Sequence, residues 1–418
     1  MSSPPVDVFD PRIFARGVPH GDLRRLRDEA PVAWQEEHTV GPWPAGPGFW
    51  AITRYDDVRH VLRSPADFSS SLGATQIRDP DPADLPFLRR MVLNMDPPEQ
   101  VRLRTLVSGA FTRRRMESFE AGVADRAERL LDAVRDDGGC ELTSQVTDDF
   151  GLQNLSDLLG VPLEDRPELL RWTNRVIGYQ DPEHAEAGTG TDTGTGTGGA
   201  PVNPRSPAAL ADMFGYADAL AERKRAEPAD DVMTALVRAE VDGRRLTGPE
   251  LHMFFFLLVI AGNDTVRSAL PGGVLALLEH PEAHARLRAE PQLLPAAVEE
   301  MLRWHPPVLT FRRTATRDLT LHGTRIHAGD KVVVYHCSAN HDERRFADPH
   351  RFEPDRTPND HLAFGQGPHL CLGAHFARLQ MRAFFTAFLR LPQAHPAGEP
   401  RRLTSNFING ITRLPLAW

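Results

Sequence analysis

Apolar residues recur along this chain at two different spacings, and each spacing predicts its own kind of element. Val101, Leu103, Leu106, Val107 and Ala110 fall close to helical spacing and predict a helix over Gln100–Phe111. Further helices are predicted over Leu142–Leu159, Pro167–Ile177, Pro207–Arg225 and Pro291–His305, the last stopped by Pro306-Pro307. Phe49–Tyr55 (FWAITRY) mixes aromatic and β-branched residues and predicts a strand, with a short amphipathic helix over Asp56–Leu62 behind it. Strand-like runs gather later in the chain. They are Leu319–Leu321, then Lys331–Tyr335 after a turn at His327-Ala-Gly-Asp330, then Leu403–Ile408 and Ile411–Leu414 around a turn at Asn409-Gly410. The pattern predicts a mainly α chain with a smaller β-rich portion.

One predicted helix stands apart. Thr247-Gly-Pro-Glu250 reads as a capping box that opens it. It is apolar nearly all round through Phe254–Ile260, which predicts burial in the middle of the protein. Pro271 is expected to kink or interrupt it. The segment Ala261-Gly-Asn-Asp-Thr265 sets polar groups on this apolar helix, which is costly without a partner or a task. A threonine bonding back to a carbonyl and bending the helix accounts for part of it. Elsewhere, Ala187–Ala200 (AGTGTDTGTGTGGA) has nothing to bury and is expected to be a flexible loop, either an inert insertion or a lid.

Composition narrows the classes. A chain of 418 residues buries enough surface to fold without staples. The net charge of −9 argues against nucleic-acid binding. Three cysteines, Cys140, Cys337 and Cys371, are too few for a disulfide framework, a four-thiolate zinc site or an iron–sulfur cluster. The start shows no signal-peptide pattern, and the longest strongly apolar run, Met253–Gly262, is short of the ~20 residues a membrane span needs. The expectation is a cytoplasmic protein with no membrane and no nucleic-acid partner. The basic residues are almost all arginine, with Lys224 and Lys331 the exceptions, a bias that points to a G+C-rich bacterial source.

The stretch Phe364-Gly-Gln-Gly-Pro-His-Leu-Cys371-Leu-Gly carries the chemistry. Leu372, Phe376, Leu379 and Ala383 follow at helical spacing, so Cys371 stands where a glycine-rich loop enters a helix. Backbone N–H groups and the positive end of the helix dipole there favour a thiolate. Glycines let backbone approach a bulky flat ligand. This loop resembles the haem-binding loop of the cytochrome P-450 family of haem-thiolate monooxygenases, and the resemblance extends over nearly the whole chain.

The resemblance implies a cytochrome P-450 fold, a single domain over residues 1–418, and Cys371 as axial ligand to the iron of haem b (iron protoporphyrin IX). Phe364, Gly365 and Gly373 would belong to the cofactor-binding loop. Arg104, Arg313 and His369 match positions that hold the haem propionates. Gln100 stands where the family commonly has histidine, and glutamine donates a hydrogen bond but no charge. Asp264 and Thr265 match the acid–alcohol pair that delivers protons, with Val266 where a second hydroxyl often follows. Glu300-Met-Leu-Arg303 matches the family's Glu-x-x-Arg pair, with Arg356 as a third, structural member. Read without the resemblance, an i,i+3 pair of this kind is an ordinary solvated face. Cys140 and Cys337 are expected to be inert.

The implied function is reductive activation of dioxygen and oxidation of a small hydrophobic substrate: a steroid, terpenoid, lipid or secondary metabolite. Oxidative C–C or C–N coupling remains an alternative, as does a haem protein that binds ligands without turnover. The chain is too short to carry its own flavin reductase. Electrons from NAD(P)H would come through a ferredoxin or flavodoxin and its reductase. Arg102, Arg104 and Arg113-Arg114-Arg115 are the expected docking face for an acidic carrier. A monomer is expected. Substrate-facing positions are expected within 68–91, 258–262, 308–311 and 407–409.

Overall fold

The structure is a computed structural model, and it describes residues 6–41, 43–177 and 206–418. The Gly/Thr-rich stretch 187–200 lies outside them. The described residues are mostly helical, with one five-stranded sheet and several two- and three-stranded pieces. Strands β1 (Val32–Gln35), β2 (Phe49–Ile52), β3 (Phe68–Ser69), β4 (Thr310–Ala315) and β5 (Lys331–Tyr335) lie in the order β1-β2-β5-β4-β3. Only β2 and β5 run parallel. Successive side chains of β5 point to opposite faces. Val332 and Val334 join one apolar cluster, while Val333 and Tyr335 join another, so this strand is buried on both sides.

The main core gathers around the helix Gly248–Glu279. Thr247 and Glu250 close both halves of the capping box, as expected. Helices Asp148–Leu159, Arg166–Ile177, Ala211–Ala226, Leu294–Trp304 and Ala374–Phe388 pack against it. By length and mean hydropathy this helix could cross a membrane, but 61% of its most apolar stretch is buried against the rest of the protein.

Two expectations need adjusting. Of the kink or interruption expected at Pro271, the interruption does not occur, and the helix runs past it to Glu279. Packing overrides the forfeited backbone bond here. Pro271 is buried, a Cβ on Gly272 would collide with the His305 imidazole, and one on Gly273 would meet the Phe385 ring at 2.6 Å.

Leu403–Ile408 is not a strand either. The ladder partner of Ile411–Arg413 is Arg401–Arg402, and the residues between form a loop. Local side chains supply the competing bonds. Ser405 Oγ accepts from the amides of Phe407 and Ile408, both at 3.1 Å, and Asn406 donates to the Phe9 carbonyl at 2.6 Å. Leu309 N–H then donates to Phe407 O, and Asn409 N–H to Pro307 O, each at 2.8 Å.

Glu300, Arg303 and Arg356 form one buried network. Arg303 donates to both Glu300 oxygens at 2.7 and 2.8 Å, and to the carbonyls of Asn340 and Pro349 at 2.8 and 2.9 Å. Arg356 Nε reaches the same carboxylate at 3.1 and 3.2 Å. Burial pushes the Glu300 carboxyl up, but the hydrogen bonds and charge of Arg303 outweigh it and hold the group below its ordinary range.

Candidate active site

A cavity of about 770 Å³ lies between the central helix, the cysteine loop, the helix Glu99–Ser108 and the two segments joined at Val308 and Ile408. Every site residue expected from the sequence lines it: Gln100, Arg104, Asp264, Thr265, Arg313, Phe364, Gly365, His369, Cys371 and Gly373. The expected substrate-facing ranges contribute Ala74, Leu88, Leu258, Phe311 and Phe407 among others.

The loop's shape follows from its glycines. Gly365 and Gly367 both sit at φ +70°, a region that favours glycine, and a Cβ on Gly367 would meet the Leu62 carbonyl at 2.6 Å. Cys371 N–H closes the loop onto Phe364 O at 2.9 Å. Helix Ala374–Phe388 then starts three residues beyond the thiol. Cys371 opens onto the cavity while lying deep within the protein. Burial pushes its thiol up. The Gly373 N–H and the Arg104 and Arg378 guanidinia pull the other way without cancelling it. A Cβ on Gly373 would meet nothing within 4 Å, so there is open room beside the sulfur.

Cationic and polar groups ring this floor. Arg104 donates to the Leu370 carbonyl, and burial lowers its pKa while Cys371 opposes the shift. Arg313, on β4, donates to the Arg312 carbonyl at 2.8 Å, and burial draws it down to about 10 against the pull of Asp96. His369 Nε2 lies 3.2 Å from Ser70 Oγ. Burial, then Arg313, bring this imidazole down to about 3, so it is neutral at ordinary pH. Gln100 donates to the Pro368 carbonyl at 2.7 Å, and its Oε1 is buried without a hydrogen-bond partner. Among the described residues, neither Arg104 nor Arg313 hydrogen-bonds a carboxylate. A thiol beneath open space, apolar walls, a buried Arg313 and a half-buried Arg104, neither hydrogen-bonded to a carboxylate, suit a flat, dianionic, metal-bearing group such as haem.

Across the cavity, Thr265 Oγ1 donates to the Ala261 carbonyl at 2.7 Å, the local bond weighed from the sequence. Asp264 is buried, with Oδ1 3.6 Å from the Arg267 guanidinium. Arg267 is held by Asp148 at 2.8 and 2.9 Å. Arg267 escaped the sequence reading although its i,i+3 spacing from Asp264 could have flagged it. Arg378 escaped too. Its guanidinium lies 4.3 Å over the Phe364 ring and is fixed by Glu299 at 2.7 Å.

The expected arginine face is partly paired. Arg102 pairs with Glu99 and Glu250, Arg113 with Glu117, and Arg115 with Asp230, while Arg104 turns inward and Arg114 is exposed. Two of these acids, Glu250 and Asp230, come from distant segments. Burial pushes the Cys140 and Cys337 thiols up to about 12, which supports the inert role expected of them.

The Glu299 clamp carries a pH prediction. Burial raises this carboxyl, but hydrogen bonds from His361 and Arg378 bring it down from 4.5 to about 2. A depressed carboxylate contributes stability that is present above 4.5 and lost as pH falls toward 2. Glu299→Gln should therefore lower Tm at pH 6, and the gap to the parent protein should shrink steadily on acidification below 4.5. Thermal melts of both proteins across pH check it, and a gap that widens in acid would overturn the clamp.

The cytochrome P450 family model matches residues 201–415. A methyl-branched lipid omega-hydroxylase of Mycobacterium tuberculosis is 41% identical over 407 residues, 96% of this chain and 91% of that protein. A steroid C26-monooxygenase of the same organism is 36% identical over 98% of this chain and 91% of its own length. Among solved structures, a cytochrome P450 of Mycobacterium marinum in complex with pseudoionone superimposes with a TM-score of 0.85 at 36% identity, covering 100% of both chains. One from Bacillus megaterium in complex with testosterone gives 0.79 at 30% identity over 96% of this chain and 99% of that one. With a thiol-floored apolar cavity inside this fold, the chain belongs to the cytochrome P450 family: it is a haem monooxygenase that oxidises hydrophobic substrates with electrons supplied by redox partners.

Proposed function

We propose that this enzyme hydroxylates a branched-chain lipid or a sterol side chain, with Cys371 ligating the iron of haem b and Arg104, Arg313 and His369 facing its propionates. The cavity carries the reading: one thiol on its floor, Asp264 and Thr265 opposite, and apolar walls from Leu258, Val308, Phe311 and Phe407 between them. The relatives named for branched-lipid and steroid oxidation support the substrate class. Bound there, haem supplies the iron at which dioxygen is reduced and split. The apolar walls exclude water and hold the substrate by burial. The Asp264 carboxyl would supply protons at this end of the cavity, and Thr265 Oγ1 would turn from the Ala261 carbonyl to donate into it. NAD(P)H is the electron source through a ferredoxin or flavodoxin and its reductase, and the enzyme works as a cytoplasmic monomer.

Thr265→Ala tests the proton route. The variant should keep haem, bind substrate and still consume NAD(P)H. Positioned acid–base help is typically worth ~10²–10⁴-fold, so product per NAD(P)H should fall by at least an order of magnitude while hydrogen peroxide rises to match. Product, peroxide and NAD(P)H are read in one reaction. Unchanged coupling would remove Thr265 from the route. Titration of methyl-branched fatty acids and sterols, followed by the ferric spin state, tests the substrate class. A response only to small aromatic ligands would overturn it.

A further inference from the structure

Away from the cavity, three histidines from distant parts of the sequence meet. His20 opens the helix His20–Glu29, His341 follows the short helix His336–Ala339, and His350 lies in the loop beyond. Ring centroids are 4.1 Å apart for His20 and His341, 5.7 Å for His20 and His350, and 5.4 Å for His341 and His350. One ring nitrogen from each lies within 4.8 Å of the others. Tetrahedral zinc–imidazole geometry needs nitrogens about 3.4 Å apart. The nitrogens must therefore draw together by up to about 1.4 Å, to which His350, the exposed member, can contribute.

Several details go beyond mere proximity. His341 Nδ1 is 3.1 Å from the Cys337 carbonyl. A carbonyl only accepts, so Nδ1 carries the proton and Nε2 is left with its lone pair. His20 Nδ1 is buried with no hydrogen-bond partner, a costly state that a ligand would relieve. Glu343 Oε1 stands 3.7 Å from His350 Nε2, beyond hydrogen-bond distance but close enough for its charge to favour a cation held by that imidazole. Arg303 bonds the carbonyls of Asn340 and Pro349, the residues just before His341 and His350, so both backbones are fixed from below. Burial, then the neighbouring histidine and Arg303, draws His20 down to about 3 and His341 well below its ordinary value, with Arg27 adding to the shift of His20, so both imidazoles are neutral. Those arginines oppose an added cation, but each is paired, Arg27 with Glu343 and Arg303 with Glu300.

We propose that His20, His341 and His350 bind one divalent transition-metal ion, zinc, with water completing four ligands, and so tie the N-terminal helix to the loop that Arg303 organises. Imidazole suits zinc and disfavours magnesium and calcium. A second grouping, Asp7, Asp10 and His38, is a poorer candidate. Its carboxylates already accept from the Phe9 amide and from Arg12.

The test uses haem-loaded enzyme, stripped with chelator and titrated with zinc chloride by calorimetry. One zinc per chain is expected. His350→Ala, an exposed substitution that keeps the Soret spectrum, should remove or sharply weaken it. Glu343→Gln should weaken it ~10–100-fold. His38→Ala should change nothing. At a hundredfold excess over Kd, zinc should raise Tm by about 3 °C in the parent enzyme and not in His350→Ala. Magnesium should do neither. Absence of zinc binding, binding unchanged in His350→Ala, or binding lost in His38→Ala instead would each overturn the site.

Discussion

Cys371→Ser should abolish the strongly red-shifted Soret band of the reduced carbon monoxide complex and, with it, all product formation. The reason lies in what the loop does and does not supply. Burial raises the Cys371 thiol, and the Gly373 N–H and Arg104 offset this only in part, so the free side chain is a thiol. A metal ion deprotonates a coordinating thiol outright, and the resulting thiolate pushes electron density toward the iron. A serine hydroxyl is far harder to ionise and donates much less. Cys140 and Cys337 cannot substitute, since neither lines the cavity. Absorption spectra of the reduced carbon monoxide complexes, with turnover assays, check this. A surviving red-shifted band would mean that another sulfur ligates the iron.

The second large effect is expected from Arg303→Ala. The change removes a fully buried guanidinium that holds one carboxylate and two carbonyls. Breaking a buried pair by deleting one partner costs ~3–5 kcal/mol. Total stability is only about 5–15 kcal/mol. Most of the variant should be insoluble or lack haem. Arg303→Lys keeps the charge but not the planar fork, and should recover only part of the yield. Soluble yield and haem-to-protein ratio decide it. Normal haem content in Arg303→Ala would reduce the network to ordinary pairing.

Legibility in the sequence tracked how local each signal was. The capping box at Thr247, the glycine-loop cysteine and the Glu300–Arg303 spacing all lie within a few residues, and all appear in the structure as read. Arg356, also read as its third member, joins that network from a separate loop. Errors came where distant segments decide. Pro271 stays helical because His305 and Phe385 pack on the glycines beside it. Arg102 and Arg115 are partly neutralised because Glu250 and Asp230 arrive from other elements. The loop 403–410 leaves the ladder because Phe9 and Pro307 offer its polar groups other partners. Arg267 beside Asp264 was within reach of helical spacing, whereas Arg378 over Phe364 joins a helix to a preceding loop, and the partners Asp148 and Glu299 come from other elements.

The loop 403–410 separates anchorage from contact. Ser405, Asn406 and Asn409 fasten its backbone, while only Phe407 and Ile408 reach the cavity. Side chains at those two tip positions can change without disturbing a bond that holds the loop, the cysteine or the buried network. Selection on diet or niche can therefore retune substrate preference here by single steps, each leaving a folded, haem-loaded enzyme behind. Such a tip is a point of evolutionary plasticity on an otherwise unyielding frame.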